Sequence, residues 1–356
     1  MITQNKGEWS ELYALVYLLA TGKLYAADDK LRVIENVYFP ILRILRDELQ
    51  DRHIEFHISG DSVNVELNRE KVNTLSMEYL SQKAAGLYHS ILNGAERSFA
   101  IDSAEMLMQD LSLTKVKAST DDKSDIKMEI HDIQTGIDNI CGFSIKSELG
   151  SPPTLFNAGK TTNFIYRATG LTSENMAEIN AIETRNKLLD RVARIYEYGS
   201  LTYFDMENKT FKENLSLIDT AMDSMVADIL LESFLSRETD CQKLIELVSA
   251  KNPQNFTNPQ RLYAYKIKKF LCSSALGMDP GKVWDGRDEA NGGYIIVTKS
   301  GKVVAYHIYN RDFFETYLLE HTKLERASSS RHGYGKVYHD AGNMFIKLNL
   351  QVRFKK

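Results

Sequence analysis

The period of the hydrophobic positions changes repeatedly along the chain, and each change predicts an element. Residues 8–20 carry Leu12, Leu15, Val16 and Leu19 at helical spacing, with Glu8 and Glu11 three apart on a shared face. Residues 37–49 read as a second helix with Pro40 in its first turn. Residues 53–58 and 62–67 flank Ser59-Gly60-Asp61 and predict a hairpin. Residues 68–112 read as helical through Val72, Leu75, Tyr79, Leu80, Ala84, Leu87, Tyr88 and Ile91.

The strictest alternation follows the polar loop 120–124. Asp125, Lys127, Glu129 and His131 interleave with Ile126, Met128 and Ile130, which predicts a strand with one wet and one dry face. Residues 141–149 read as its partner, with Phe143 and Ile145 on the dry side and Ser144, Lys146 and Glu148 on the wet side. In a hairpin the paired numbers have a constant sum, so a turn centred on Thr135-Gly136 sets Asp125 opposite Lys146. Residues 171–276 read as mostly helical, with breaks near Gly199-Ser200 and Asn252-Pro253. The tail returns to β: strands at 294–299 and 302–309 around Ser300-Gly301, a helix at 311–324, then strands at 335–338 and 344–354. The sum is an α/β protein with a central mixed sheet flanked by helices. Its expected parts are a core with the hairpin (1–170), a mainly helical region (171–290) and a basic α/β C-terminal region (291–356).

Composition narrows the classes. With 43% hydrophobic and 26% charged residues, the 356-residue chain is neither disordered nor fibrous. Cys141, Cys241 and Cys272 are odd in number and far apart, so they offer no zinc spacing and no disulfide framework. The polar start lacks a signal-peptide core, and the longest apolar stretch, 12–20, is too short to span a bilayer. A cytoplasmic protein is expected. The net charge of -4 excludes a general polycation, yet residues 291–356 hold 11 Lys and Arg against 5 Asp and Glu. That local excess points to an anionic partner.

The hairpin carries the chemistry. A carboxylate beside a lysine suits phosphodiester hydrolysis, because Mg²⁺ takes a few anionic oxygens plus water and phosphate. A nearby ammonium orients the attacking water and offsets phosphate charge. Asp125 and Lys146 fill these roles, and Glu11 is the natural second carboxylate. Asp132 is the alternative acid, although its parity matches the dry face; Asp138 ranks third and reads as a turn residue. Plainer readings stand beside these: Glu8 and Glu11 as first-turn acids favoured by the helix dipole, Lys146 as a solvated strand lysine.

The order of a helical Glu11, then Ser124-Asp125-Ile126, then Ser144-Ile145-Lys146 resembles the PD-(D/E)XK nuclease superfamily. Ser124 stands where that pattern often has Pro. Ser144 stands where it has Asp or Glu, which puts more weight on Glu11 and leaves Glu148 or Glu8 as substitutes. Further segments are similar to the HpaII-like family of type II restriction endonucleases: residues 5–12, 142–147, 154–158, 162–164 and 328–331. The resemblance implies a Mg²⁺-dependent, dimeric enzyme that cuts double-stranded DNA at a short palindrome of the CCGG type, leaving 5′-phosphate and 3′-hydroxyl ends.

DNA contacts are expected in two places. Asn157, Lys160, Thr161, Thr162 and Asn163 follow the catalytic strand and would hold backbone near the scissile bond. The segment Ser328-Ser329-Ser330-Arg331-His332-Gly333-Tyr334-Gly335-Lys336 would present Arg331 to a guanine edge while its hydroxyls hold phosphates; the plain reading of the three serines is a flexible loop. Lys347, Arg353, Lys355 and Lys356 would add phosphate contacts. The competing functions are a non-catalytic, sequence-specific DNA-binding protein with a degenerate nuclease fold, favoured by Ser144, and a scaffold built on the helical middle.

Overall fold

Asn5 starts the first helix, α1 (Lys6–Thr21). Its side chain accepts from the Glu8 amide at 3.1 Å, and the Glu8 carboxylate accepts from the Asn5 amide at 3.0 Å. Gly22, at φ 62°, ends it. Trp9, Leu12, Tyr13, Leu15, Val16, Leu18 and Leu19 are all buried, so this is an inner helix, covered on nearly every side. The structure, a computed structural model, describes residues 2–28, 30–49, 51–117, 124–306 and 311–355, with backbone alone at 49, 330 and 331. The expected loop 120–123 and Lys356 lie outside the described residues.

In chain order the first half contains strands β1 (Thr3–Gln4), β2 (Lys23–Ala27), β3 (Val33–Leu49), β4 (Arg52–Ser59), β5 (Ser62–Leu67) and β6 (Glu70–Ser76), then helix α2 (Met77–Asn93). Strand β7 (Phe99–Ala100), helix α3 (Asp102–Asp110) and the hairpin β8 (Ile126–Asp132) and β9 (Ile137–Ser147) complete it. The second half runs β10 (Thr154–Phe156), β11 (Asn163–Thr169), α4 (Ser173–Ala181), α5 (Lys187–Tyr198), β12 (Ser200–Met206), α6 (Lys209–Ile218), α7 (Met222–Leu235), α8 (Cys241–Lys251) and α9 (Pro259–Leu276). It ends with β13 (Gly293–Val297), β14 (Val303–Tyr306), α10 (Arg311–His321), β15 (Thr322–Leu324), α11 (Ser329–His332), β16 (Val337–Asp340), β17 (Asn343–Asn349) and β18 (Val352–Phe354).

The protein is a mixed α/β fold. Its main sheet has nine strands in the order β2-β14-β13-β9-β8-β3-β4-β5-β6, and β2 also pairs with β3. The pairings therefore close a circuit through β2, β14, β13, β9, β8 and β3. β13 lies parallel to β9 and β14 parallel to β2; the other pairs are antiparallel. A second sheet runs β12-β11-β17-β16. β13 is buried on both faces: Ile295 and Val297 join the core of α1 and α2, while Tyr294 and Ile296 join the core of the C-terminal helices. Its unbroken apolar run follows from that double burial. Both sheets draw strands from across the expected boundaries at 170 and 290.

Three expectations are corrected. Residues 37–49 belong to the long strand β3, not a helix. Val33, Ile34, Val37, Tyr38, Phe39, Ile41 and Ile44 favour a pleated strand, but its alternation is disguised, because the buried positions 46 and 48 hold charged residues. Arg46 and Glu48 lie 3.4 Å apart in the interior. Residues 70–76 form β6, joined to β5 through Asn68 and Arg69, both at positive φ, as a two-residue hairpin turn needs. Residues 200–206 form strand β12 rather than a mere break between helices.

Gly293 sits where β13 meets β9, at φ 94°, and a Cβ there would lie 2.1 Å from the Tyr306 carbonyl oxygen. Both backbone conformation and space exclude a side chain. Gly293→Ala is expected to lower stability by roughly 2–4 kcal/mol, read by urea unfolding. A change within about 0.5 kcal/mol, the range of a neutral surface substitution, would contradict this packing.

Candidate active site

The hairpin pairs Ile126 with Phe143, a sum of 269 rather than the expected 271. The turn is centred one residue earlier, because Asp132 caps it. Asp125 consequently faces Ser144, two residues short of Lys146, and parity is unchanged. The Asp125 amide donates to the Phe143 carbonyl at 2.8 Å, which fixes the backbone just before β8 begins. Its carboxylate Oδ2 accepts from the Ile145 amide at 2.7 Å and from Ser144 Oγ at 3.0 Å. Lys146 Nζ donates to the same Ser144 Oγ at 2.6 Å. A carboxylate, a buried hydroxyl and an ammonium thus form one chain. Lys146 Nζ also lies 5.0 Å from the ring centre of Tyr294, the buried neighbour of Ser144 on β13. Gly142 lets this strand approach the neighbouring chain, since a Cβ would lie 2.6 Å from the Glu289 carbonyl oxygen. The Asn291 side chain accepts from the Gly142 amide at 2.8 Å.

Glu11 arrives from α1. Ser10 Oγ and Ser147 Oγ, 2.7 Å apart, fasten that helix to the end of β9. The Glu11 carboxyl is pushed up to about 7, first by burial and then by the charge of Asp125; Lys117 and Lys146 act in the opposite sense. Lys117 Nζ lies 3.5 Å from Glu11 Oε1. The structure therefore brings Glu11, Asp125, Ser144 and Lys146 into one electrostatic neighbourhood, and adds Lys117. Two nearby carboxylates, one of them held above its ordinary pKa by burial and by the charge of the other, offer hard oxygen donors that suit a divalent cation such as Mg²⁺. Among the described residues no group of three or more His, Cys, Asp or Glu forms a metal cage. Mg²⁺ usually needs only one or two carboxylates, its remaining positions going to water and phosphate.

The alternatives lie elsewhere. Asp132 sits at the far end of β8, roughly 20 Å along the strand from Asp125. Its oxygens accept from the Gln134 amide and the Thr135 hydroxyl at 2.9 and 2.8 Å, so it caps the turn. Asp138 is a strand residue, not a turn residue, and pairs with His131 at 2.7 Å. Glu148 is exposed and accepts from the Lys299 amide at 3.1 Å. Glu8 is occupied by the capping box. Glu129 pairs with Arg43 at 2.6 Å.

The expected DNA contacts divide similarly. Asn157, Lys160 and Lys336 are exposed. Thr162 and Asn163 are fully buried, and serve the interior rather than the surface. Asn163 Nδ2 donates to Glu207 at 2.7 Å and to the His332 carbonyl at 3.0 Å, while Asn349 Nδ2 donates to Gly159 O, Thr162 Oγ1 and Asn163 Oδ1. They tie the 159–163 segment to β17 and to the end of α11 at His332. Ser330 and Arg331 lie on α11, their side chains outside the description. Arg353 lies 3.0 Å from Glu325, and Lys355 pairs with Asp240. Lys336 lines a basin of about 510 Å³ with Lys187, Arg191, Lys347, Tyr334 and Glu183, a mainly cationic surface that sequence reasoning did not assemble. Sequence reasoning also missed Lys117, Ser10, Ser147 and Tyr294. Only Ser10, next to Glu11, carried any local cue.

A carboxylate from α1 thus meets an aspartate and a lysine at the edge of the hairpin in the mixed sheet. The family model described as HpaII restriction endonuclease matches residues 5–354. The chain is 39% identical over 355 residues to a protein named type II restriction enzyme HpaII, from Haemophilus parainfluenzae, covering 98% of each chain. No solved structure matches it. The chain belongs to the HpaII restriction endonuclease family, and is a type II restriction endonuclease. No helix among the described residues is long and apolar enough to cross a membrane.

The raised Glu11 pKa links stability to pH. A carboxyl held above its ordinary value stabilises the fold when protonated; that contribution is complete below about 4.5 and is lost as pH rises through about 7. With chelator present, Glu11→Gln is therefore expected to be more stable than the unsubstituted protein at pH 8, by roughly 2–3 kcal/mol, and equally stable near pH 4.5. Urea unfolding at both pH values checks this; a pH-independent difference would contradict it.

Proposed function

We propose that the protein cuts both strands of DNA by Mg²⁺-dependent hydrolysis at a short palindrome of the CCGG type, on a PD-(D/E)XK-like core. The observation that carries this reading is the Asp125–Ser144–Lys146 chain with Glu11 inside its field. Asp125 and Glu11 would hold the cation. When bound, it supplies Lewis-acid stabilisation of the scissile phosphate and eases ionisation of a water. Asp125 is oriented by the Ile145 amide, so the strand itself sets the ligand's direction. Lys146, steadied by Ser144 and by the face of Tyr294, positions the attacking water and offsets the charge developing on phosphate. Ser144, standing where an acid is usual, links the lysine to the aspartate.

Cutting both strands of a palindrome calls for two copies related by a two-fold axis, hence a homodimer. Lys336 and Lys347 of the cationic basin, with Lys160, Arg331 and Arg353, would carry duplex contacts. The absence of any long apolar helix among the described residues fits a cytoplasmic enzyme acting within a restriction-modification system.

The test is digestion of a sequenced plasmid with Mg²⁺. Discrete fragments ending within CCGG-type sites are expected. Asp125→Ala and Lys146→Ala are expected to slow cleavage by roughly 10²-fold or more, with DNA binding in Ca²⁺ retained, while Asp132→Ala still cuts. An intact but shifted band from the unsubstituted protein would favour a non-catalytic DNA-binding protein, the reading that Ser144 supports. Loss of cutting in Asp132→Ala with retention in Asp125→Ala would transfer the metal to Asp132.

A further inference from the structure

Among the described residues Lys117 is an amine beside Glu11 to which no role has been given, and much of the surrounding structure is devoted to putting it there. Glu48, with a fully buried side chain, accepts from the Thr114 amide at 2.9 Å, from Thr114 Oγ1 at 2.5 Å and from the Lys115 amide at 3.3 Å. Its partner Arg46 donates through Nη2 to the carbonyls of Lys115 and Val116, at 2.7 and 3.1 Å. Arg52 adds a bond to the Ser112 carbonyl at 2.5 Å. A buried ion pair is a costly way to stabilise a sheet, but it is an effective way to hold a segment in one place. Here, with Arg52, it holds residues 112–116 through both their amides and their carbonyls, and Lys117 is the next residue out.

The clamp delivers Lys117 Nζ to within 3.5 Å of Glu11 Oε1. The ammonium thereby lies against an oxygen proposed for the cation. A divalent ion taken up by Glu11 and Asp125 and an ammonium in that position repel one another, so uptake of the ion weakens the ammonium's hold on the carboxylate. Lys117 has room to leave: its side chain is 43% exposed and carries four methylenes, whereas Glu11 is 15% exposed and stays. Lys146 is bonded to Ser144 and seated over Tyr294, which suits a fixed role. Lys117 has neither restraint, which suits a moving one.

We propose that Lys117 is the second amine of the active site. It is the tethered counter-ion of Glu11 in the metal-free protein, and it exchanges Glu11 for a non-bridging oxygen of the DNA phosphate when the metal enters. This rests on the assignment of Glu11 and Asp125 as cation ligands. The ammonium keeps the acid pair charge-balanced without a cation, and becomes available to the phosphate only once the cation is in place.

The test uses Mn²⁺ as a paramagnetic stand-in for Mg²⁺ and the full-length chain without DNA. Lys117 is a surface side chain beyond the clamp, so Lys117→Met is expected to fold, as circular dichroism and the urea midpoint will check. Its Mn²⁺ affinity should be tighter than that of the unsubstituted protein by roughly two- to fivefold, the worth of one partly exposed ion pair. Lys117→Arg should return the weaker affinity. With Mg²⁺ and DNA, single-turnover cleavage by Lys117→Met should fall by roughly 10- to 100-fold, and the salt dependence of DNA binding in Ca²⁺ should lose about one phosphate contact. Unchanged Mn²⁺ affinity in Lys117→Met overturns the proposal. So does tighter Mn²⁺ binding with an unchanged cleavage rate, since the amine would then be a spectator of the chemistry. Asp125→Ala separates the two levels: if the unsubstituted protein binds Mn²⁺ no better than Asp125→Ala, the metal assignment itself fails; if it binds better and only Lys117→Met behaves as unsubstituted, this inference alone fails.

Discussion

Two carboxylates placed in one another's field, with little water between them and the protein, are the constraint on which the rest of this structure depends. Glu11 and Asp125 come from opposite ends of the first 125 residues, and burial together with the charge of Asp125 makes Glu11 harder to ionise. Nothing in folding rewards that arrangement. It persists because α1 is held on nearly every side by core residues and is fastened at Ser10 to Ser147, while Asp125 is pinned by the backbone of β9. Lys117 and Lys146 offset part of the cost of the acid pair, and a bound cation would offset more of it.

The lysines divide the remaining work. Lys146 is fixed by a hydroxyl on its own strand and by a ring on the neighbouring β13. Lys117 is carried on a segment that a buried Arg46–Glu48 pair holds against the sheet. That pair lies on β3, the strand that links β2, β4 and β8 and so joins the closed circuit to the outer meander. A single long strand thus supplies the frame of the sheet and the clamp beside the site.

Much of the site was legible in the sequence because its local patterns are strict. The alternation from Asp125 to His131 marked the strand, and the parity of Asp125 and Lys146 survived a shift of the turn, since the shift moved the pairing by an even number. The helical spacing after Asn5 placed Glu11. Where local pattern and burial disagree, the reading failed. Arg46 and Glu48 are charged residues at buried positions, so β3 looked like a helix. Asn163 and Thr162 looked like surface donors, yet they are consumed inside by Asn349, Glu207 and the His332 carbonyl. Lys117 had no local cue, because its relation to Glu11 exists only after α1 and β3 have packed. The basin at Lys336 and Lys347 is likewise made of residues joined by tertiary structure alone.

The account is tested most directly by counting protons released when Mg²⁺ binds the DNA-free protein, by calorimetry at pH 7 in two buffers of different ionisation enthalpy. A carboxyl with a pKa of about 7 is half protonated there, so binding should release about half a proton per site, the value should fall toward zero by pH 9, and Glu11→Gln should abolish it. Mg²⁺ binding with no proton release at pH 7, or release that persists unchanged in Glu11→Gln, would contradict the placement of the cation between Glu11 and Asp125.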